Sequence, residues 1–396
     1  MWIRVNGKKS TEIDTLVVEQ ILNIYPEEKL TERTIFKDAF SNDSIEFKNL
    51  KEESNKILIP WQLFLLENAI LKVELDHIEK MRADKISPKL MAKRKGAGGI
   101  TSTRIIDRLI RLQNFILNTG LPQKNAFCGS VGGNVKKSAD FIVSYFRIDI
   151  TKYKNKDDFL KYLIERIEDK HINISQGVLI NKILPNSRVV NNQVYKNTSG
   201  FIIKDEAVPF VFLPSEINPD EVSGRQIYTL VYLVVLIGMN EYDYYLERDF
   251  KAKAISAKGK QKIAHGITSE ILLPYQHTEH LRGQPITSQI RDGLASKYKI
   301  TPTAVVVILR IRNIIKTKSE YELLLPPPYV PRKNNESHMR SPKIETSVRK
   351  FCGKYSFEQI NTQIKSGSIS STNAQYLLFG VVNKINYKKY RLNLKI

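Results

Sequence analysis

One apolar stretch decides the fold of this chain, and it reads Gly224-Arg225-Gln226-Ile227-Tyr228-Thr229-Leu230-Val231-Tyr232-Leu233-Val234-Val235-Leu236-Ile237-Gly238. A run of roughly a dozen apolar residues is too short for a membrane span, which needs about 20. Apolar side chains on every side predict a helix that is buried all round. A buried strand gives a similar short pattern, but the length of this run favours the helix.

Two further patterns flank this helix. Upstream, the apolar segments 200–203 and 208–213 predict two strands, joined by the polar turn Lys204-Asp205-Glu206. Downstream, segment 263–274 predicts a second helix that ends in Ser269-Glu270-Ile271-Leu272-Leu273-Pro274. The order of strand, strand, helix and helix is therefore the unit around which we expect the chain to fold.

Length and composition limit the class of protein. A chain of 396 residues has room for two or three domains, and a hydrophobic share of 42% is enough to build cores. Only Cys128 and Cys352 are present, so neither a disulfide framework nor a cysteine-based zinc site is expected. Because the first residues are polar rather than a signal peptide, we expect a cytoplasmic protein with no membrane association.

The charge balance is strongly basic. Lys and Arg number 62 against 41 Asp and Glu, which gives a formal net charge of +21. An excess of this size favours a polyanionic partner, most often nucleic acid. A lysine-rich proteome is the alternative source of the same charge.

Residues 1–140 predict a helical N-terminal region that contains a basic loop. The loop leads through Gly96-Ala97-Gly98-Gly99 into a helix that Thr101-Ser102-Thr103 cap. Backbone amides, hydroxyls and guanidinium groups at a helix N-terminus form a good phosphate site. The side chains expected to contact nucleic acid here are Lys89, Lys93, Arg94, Lys95, Arg104 and Arg108. A solvated, lysine-rich loop is the alternative.

The central unit, residues 141–285, resembles the ImmA/IrrE family of minimal metallopeptidases. In that family a strand pair precedes a helix reading roughly Arg-x-x-Phe-Thr-Leu-Ala-His-Glu-Leu-Gly-His, and a second helix ends in Glu-Leu-Leu-Met-Pro. Arg225, Tyr228, Thr229 and Leu230 match the first motif, and the segment 270–274 matches the second. The resemblance implies a zincin-like core with a small sheet.

The catalytic positions of that motif are replaced in this chain. The two histidine ligands of the family fall on Tyr232 and Leu236, and its general-base glutamate falls on Leu233. Leucine side chains have no lone pairs for zinc and cannot take a proton from a metal-bound water. The resemblance therefore implies a pseudo-peptidase fold without metal, cofactor or catalytic residues. A displaced zinc site formed by His265, Glu270, His277 and His280 is the alternative, although their spacing matches no zinc motif.

Residues 286–325 predict a helix-turn-helix-like segment. Thr301 caps its second helix and Pro302 takes the first helical position. Thr301, Thr303, Arg310 and Arg312 are the side chains that would reach DNA. Because Lys299 stands where such turns often have glycine and the second helix is very apolar, packing against the core is the alternative. Residues 326–396 predict a Pro-rich linker and a small helical C-terminal module.

Together these patterns predict an α+β, mostly helical protein. The first functional expectation is a non-catalytic, DNA-associated regulator of a mobile element, phage or defence locus, as the family resemblance implies. A partner-binding protein of antitoxin or antirepressor type, which grips a repressor or toxin, is the second. A divergent active metallopeptidase is the third, and the lost ligands oppose it.

Overall fold

The computed structural model describes residues 1–23, 34–57, 61–86, 99–120, 123–150, 152–177, 198–214, 219–242, 245–247, 254–327, 343–380, 382 and 384–396. These residues form two compact units. The first unit contains the described residues of Met1–Asn114 and Gln359–Ile396, and the second contains those of 115–358. Both tryptophans, Trp2 and Trp61, belong to the first unit.

The described residues contain sixteen α-helices and seven strands. The helices are α1 (Thr15–Asn23), α2 (Thr34–Ser41), α3 (Phe47–Ile57), α4 (Asn68–Lys85), α5 (Gly99–Asn118), α6 (Val135–Phe146), α7 (Lys156–Glu168), α8 (Pro219–Gly238), α9 (Gly259–Leu272), α10 (Ser288–Lys297), α11 (Pro302–Ile311), α12 (Lys318–Leu324), α13 (Ile344–Cys352), α14 (Lys354–Lys365), α15 (Ser371–Phe379) and α16 (Lys384–Leu394). The strands are β1 (Trp2–Val5), β2 (Lys8–Glu12), β3 (Ser44–Glu46), β4 (Asn173–Gln176), β5 (Thr198–Ile203), β6 (Phe210–Leu213) and β7 (Tyr245–Glu247).

The first unit begins with a sheet, which the expectation of a helical N-terminal region did not include. Strands β1 and β2 form an antiparallel hairpin, and β3 pairs in parallel with β1 in the order β2-β1-β3. Asn6 and Gly7 connect the hairpin with φ values of 52° and 78°. Two-residue hairpin loops of this type need positive φ at both positions, and Asn-Gly supplies it best.

A helical core completes the first unit. Val17 and Ile21 of α1 pack with Ile3 of β1, Phe36 of α2 and Phe64 of the 3₁₀ turn Trp61–Leu65, and all five side chains are fully or almost fully buried. Near the C-terminus, Phe379 of α15 meets Tyr390 of α16 edge to face, with ring centroids 5.9 Å apart.

The second unit contains the strand pair expected from the sequence. Strands β5 and β6 are antiparallel, with Phe201 opposite Phe212 and Ile203 opposite Phe210. The sheet has the order β4-β6-β5-β7, with β4 parallel to β6 and β7 antiparallel to β5. Because β6 is buried along its whole length, it reads as a continuous apolar run rather than an alternating one.

Helix α8 is the centre of the second unit and confirms the buried helix expected from the opening stretch. Every residue from Ile227 to Ile237 is buried, within a core that includes side chains of α7, α9 and β6. Gly238, the last residue of α8, allows Val131 to pack closely against the helix, because a Cβ at this position would lie 2.4 Å from Cγ2 of Val131. A similar constraint applies at Gly200 on β5, where a Cβ would lie 2.8 Å from the carbonyl oxygen of Phe212.

Helices α10 and α11 belong to the same core. Val305, Val306 and Leu309 of α11 are buried in the same hydrophobic cluster as side chains of α8 and α9. Lys299 takes the position expected for glycine in the turn between α10 and α11, with a φ of 58°. Residues 286–325 thus belong to the same compact unit as the described residues of 141–285, and the expected division into four segments stays a prediction.

The fold is mostly helical with two small sheets, which confirms the α+β class. Residues 328–342, which hold most of the expected Pro-rich linker, lie outside the described residues. Of the helices that the structure describes, none combines the length and apolar character that crossing a membrane requires.

Candidate functional site

The three positions that match the peptidase catalytic motif lie inside the core. Tyr232, Leu233 and Leu236 of α8 are 2%, 0% and 0% exposed. A Cβ on Gly200 would come within 3.0 Å of Cδ1 of Leu233, so β5 packs directly on this leucine. Side chains of the protein therefore fill the space around these three positions.

His265 of α9 packs against Tyr232 and Tyr228 of α8. Its ring stacks on Tyr232 with centroids 4.3 Å apart, and its Nδ1 lies 3.1 Å from the hydroxyl of Tyr228. Burial lowers the pKa of His265 to about 4, so the imidazole is neutral at physiological pH. Burial also raises the pKa of the Tyr228 phenol. The three rings form a neutral, internally bonded cluster.

Glu270 and Arg312 form a buried ion pair beside this cluster. Arg312 Nη2 lies 3.1 Å from Glu270 Oε2, and both side chains are 9% exposed. The same guanidinium donates to the carbonyl oxygens of Ser269 and Leu273, at the C-terminus of α9. A cation at this end of a helix stabilises the free carbonyls and the helix dipole.

Three of the four residues of the alternative zinc site, namely His265, Glu270 and His277, have other partners. Glu270 accepts hydrogen bonds from Arg312 and from the backbone amide of Tyr275. His277 Nδ1 is hydrogen-bonded to the hydroxyl of Tyr298, and His280 lies in the 3₁₀ turn Glu279–Leu281. Within the part of the chain that the structure describes, no group of three or more His, Cys, Asp or Glu side chains is arranged to hold a metal ion.

The basic loop lies mostly outside the described residues. This applies to Lys89, Lys93, Arg94 and Lys95, and to the side chain of Arg104 on α5. Arg108 is described and is only 8% exposed, with its guanidinium donating to the carbonyl oxygen of Leu378. We therefore correct the expectation for Arg108, because a buried guanidinium bound to the backbone cannot reach a phosphate.

The DNA-contacting residues expected in the helix-turn-helix-like segment also have roles inside the fold. Thr301 and Thr303 are buried, and the Thr301 side chain accepts the Ala304 amide as the N-cap of α11. Arg312 is buried in its ion pair, and the partly exposed Arg310 donates to the Ile315 carbonyl at 2.9 Å. Thr301, Thr303 and Arg312 thus support packing, which was the alternative, and do not form a groove-reading surface.

An exposed basic face instead lies on α16. The exposed cations of this helix and its end are Lys384, Lys388, Lys389, Arg391 and Lys395. The sequence from 359 to 396 contains no carboxylate side chain. The sequence indicated the basic segment, but only the structure shows that Tyr387 and Tyr390 are buried and anchor this helix, with the Arg391 guanidinium over the Tyr387 ring.

The Glu270–Arg312 pair is the main feature that sequence reasoning missed. The two residues are 42 positions apart in the chain, and nothing in the local patterns around them indicates that they meet. Comparisons with protein-family models, with curated proteins and with solved structures find no match to this chain.

Proposed function

We propose that this protein is a non-catalytic, DNA-associated regulator of a mobile element, phage or defence locus. In this proposal the second unit is an inactive zincin-like core of the ImmA/IrrE kind, and α10 and α11 are a helix-turn-helix-like pair that has been absorbed into that core. The regulatory setting rests on the resemblance alone.

The filled core supports the non-catalytic part of the proposal. A zinc peptidase needs nitrogen or oxygen ligands and an open position for water. At the corresponding positions this chain has Leu233 and Leu236, both fully buried, and Tyr232, which stacks on a neutral histidine. A divergent metallopeptidase at these positions has no support from this geometry.

Association with DNA rests on one observation, which is the concentration of unbalanced positive charge on an exposed helix face. The chain carries a net charge of +21, and α16 presents its cations in a segment without carboxylates. Lysine side chains at successive turns of a helix can follow a phosphate backbone without reading bases. We therefore expect binding that is tight at low salt and has little sequence preference.

A protein partner is the second candidate, and a different feature of α16 favours it. Ile385 and Leu392 are 71% and 68% exposed, and their spacing of seven residues puts them on the same face of the helix. An exposed apolar pair beside lysines suits an acidic protein surface, such as that of a repressor or toxin. This candidate uses α16 rather than the filled peptidase cleft.

The test is a salt titration of DNA binding with two charge-matched triple variants. One variant changes Lys384, Lys388 and Lys389 to Ala, and the control changes Lys37, Lys48 and Lys51, which lie among carboxylates. Fluorescence anisotropy with a labelled 20-base-pair duplex should show that the first variant reduces the slope of log K against log salt by about 2–3, since each lost phosphate contact contributes about 0.9. The control should change this slope by less than 1.

Two results would contradict the proposal. Absence of binding at ~50 mM salt removes nucleic acid as the partner. Equal loss in both triple variants means that net charge alone, rather than the face of α16, causes the binding.

A further inference from the structure

A pocket in the second unit is separate from the peptidase-like positions. Its volume is about 410 Å³, and four separate segments and Tyr145 of α6 line it. The residues that matter for its chemistry are Lys124, Asn125, Tyr145, Lys170, His171 and Tyr355. The volume is within the range of about 300–1,000 Å³ that is typical of small-ligand sites.

The walls of the pocket are held in place by hydrogen bonds between its segments. Asn125 is buried, donates to the carbonyl oxygen of Lys170 at 2.8 Å, and accepts the amide of Phe127 at 3.0 Å. The Asn125 amide itself donates to the Glu206 carbonyl at 2.7 Å. The loop before α6, the end of α7 and the turn after β5 are thereby joined, so the pocket is pre-formed.

Two aromatic rings line this pocket, and each has a cationic or polar neighbour. Lys170 Nζ lies 4.7 Å from the ring centroid of Tyr145. His171 has a φ of 59° and stacks on Tyr355, with centroids 4.6 Å apart and an interplanar angle of 9°. A left-handed conformation is costly for a histidine, and here it turns the imidazole onto the tyrosine.

The charge around the pocket is positive in balance. Asp169 is the carboxylate that lines it, and Lys354 Nζ neutralises this group at 2.7 Å. Lys124 is paired with Glu206 at 3.0 Å. Lys170 adds a cation at the mouth, held over the Tyr145 ring. A ligand with a negative group would therefore meet a net positive charge, which Lys170 supplies.

We infer that this pocket binds a nucleotide unit, with the base stacked on Tyr145 or Tyr355 and the phosphate beside Lys170. Planar bases stack on aromatic side chains whatever their sequence, and lysines hold phosphates as point charges. The unit can come from a free mononucleotide or from an unpaired base in a single strand. The single-strand source rests on the proposed function, whereas the free-nucleotide source does not.

The experiment uses the full-length protein with three probes: adenosine 5′-monophosphate, a ten-nucleotide single strand of deoxythymidine, and a 20-base-pair duplex. Tyr145→Leu removes the ring and Tyr145→Phe keeps it, while Tyr376→Leu is a matched control on α15, outside the pocket. Lys170→Gln is a second test at an exposed position that is expected to leave folding intact. Each variant is first checked by circular dichroism.

We expect Tyr145→Leu to weaken mononucleotide binding about tenfold or more, because one base stack contributes that much to the affinity. Tyr145→Phe and the control Tyr376→Leu should bind the mononucleotide with nearly the original affinity. Lys170→Gln should weaken mononucleotide binding, as Tyr145→Leu does. If these variants also bind the single strand more weakly while duplex binding is unchanged, the nucleotide unit comes from a single strand. If only the mononucleotide is affected, the free nucleotide is the source.

Unchanged mononucleotide affinity in both Tyr145→Leu and Lys170→Gln, or no mononucleotide binding by the unmodified protein, would overturn the inference. Salt-dependent duplex binding can persist in that case, and the proposed function then stands without the pocket. The reverse result, with mononucleotide bound and no duplex or strand bound at ~50 mM salt, leaves the pocket and removes the proposed function.

Discussion

The substitution Leu233→Glu tests whether the peptidase-like positions are filled or open to water. It introduces the residue type that the resemblance to a peptidase motif would place at this position. Leu233 is fully buried, and Gly200 packs closely on it. Loss of the leucine side chain costs about 1.5–3 kcal/mol of stability. A buried neutral carboxyl without a partner costs about 1–3 kcal/mol more. The sum is about 2.5–6 kcal/mol, a large part of the stability of a typical domain.

The loss should also depend on pH in a defined direction. Burial raises the pKa of such a carboxyl above its unfolded value, so the folded state holds a proton that the unfolded state releases. The destabilisation is therefore smallest below about pH 4 and grows by about 1.4 kcal/mol for each pH unit above it, until the folded-state pKa is reached.

The assay is chemical unfolding followed by circular dichroism between pH 4.5 and 7. Leu233→Met is the control that conserves side-chain volume, and we expect it to cost less than about 1.5 kcal/mol of stability. Because both tryptophans lie in the first unit, their fluorescence reports that unit in the same samples. A Glu variant within 1 kcal/mol of the Met control, with no dependence on pH, would show that water reaches this position and that the filled-core reasoning is wrong.

Three further predictions follow from individual contacts. Gly238→Ala should destabilise the second unit by about 1–3 kcal/mol, because the added Cβ would overlap Val131. The control Gly293→Ala, in the interior of α10 where a Cβ meets no atom, should stabilise the protein by about 0.5–1 kcal/mol. Equal effects of the two substitutions in thermal melts would refute this prediction. Burial raises the pKa of Glu168 to about 7, so its contribution to stability is present at low pH and is lost as pH rises from about 4.5 to 7. In denaturant unfolding, the free energy of unfolding of Glu168→Gln should therefore fall by about 3 kcal/mol less than that of the unmodified protein over this pH range. Arg312→Ala should cost about 1–3 kcal/mol, because Glu270 loses this partner but keeps Lys136 and the Tyr275 amide. The variant should leave the salt slope of DNA binding unchanged, and a reduced slope would return Arg312 to the binding surface.

The sequence alone was sufficient where local pattern and burial agree. The run from Gly224 to Gly238 determined a helix that is buried all round, because no arrangement leaves so many apolar side chains in water. The strands β5 and β6 followed from the short apolar runs on either side of a polar turn. The N-cap of α11 followed from Thr301 and Pro302, since capping depends on neighbouring residues only.

The N-terminal hairpin was also determined locally, but by its turn rather than by its strands. Strand β2 is exposed along its whole length, so it has no apolar alternation to detect. Asn6-Gly7 was the available signal, because both residues adopt positive φ readily.

Only the tertiary structure decided which polar residues are free to bind. Arg108 and Arg312 have the same side chain as exposed arginines, yet each is buried against carbonyl oxygens that its own segment does not supply. The pocket beside Tyr145 likewise joins segments that are far apart in the chain, from 123–126 to Tyr355. Local patterns depend on residues within a few positions of one another. Burial and pocket formation depend on which distant segments pack together, and composition and spacing did not predict that packing in this chain.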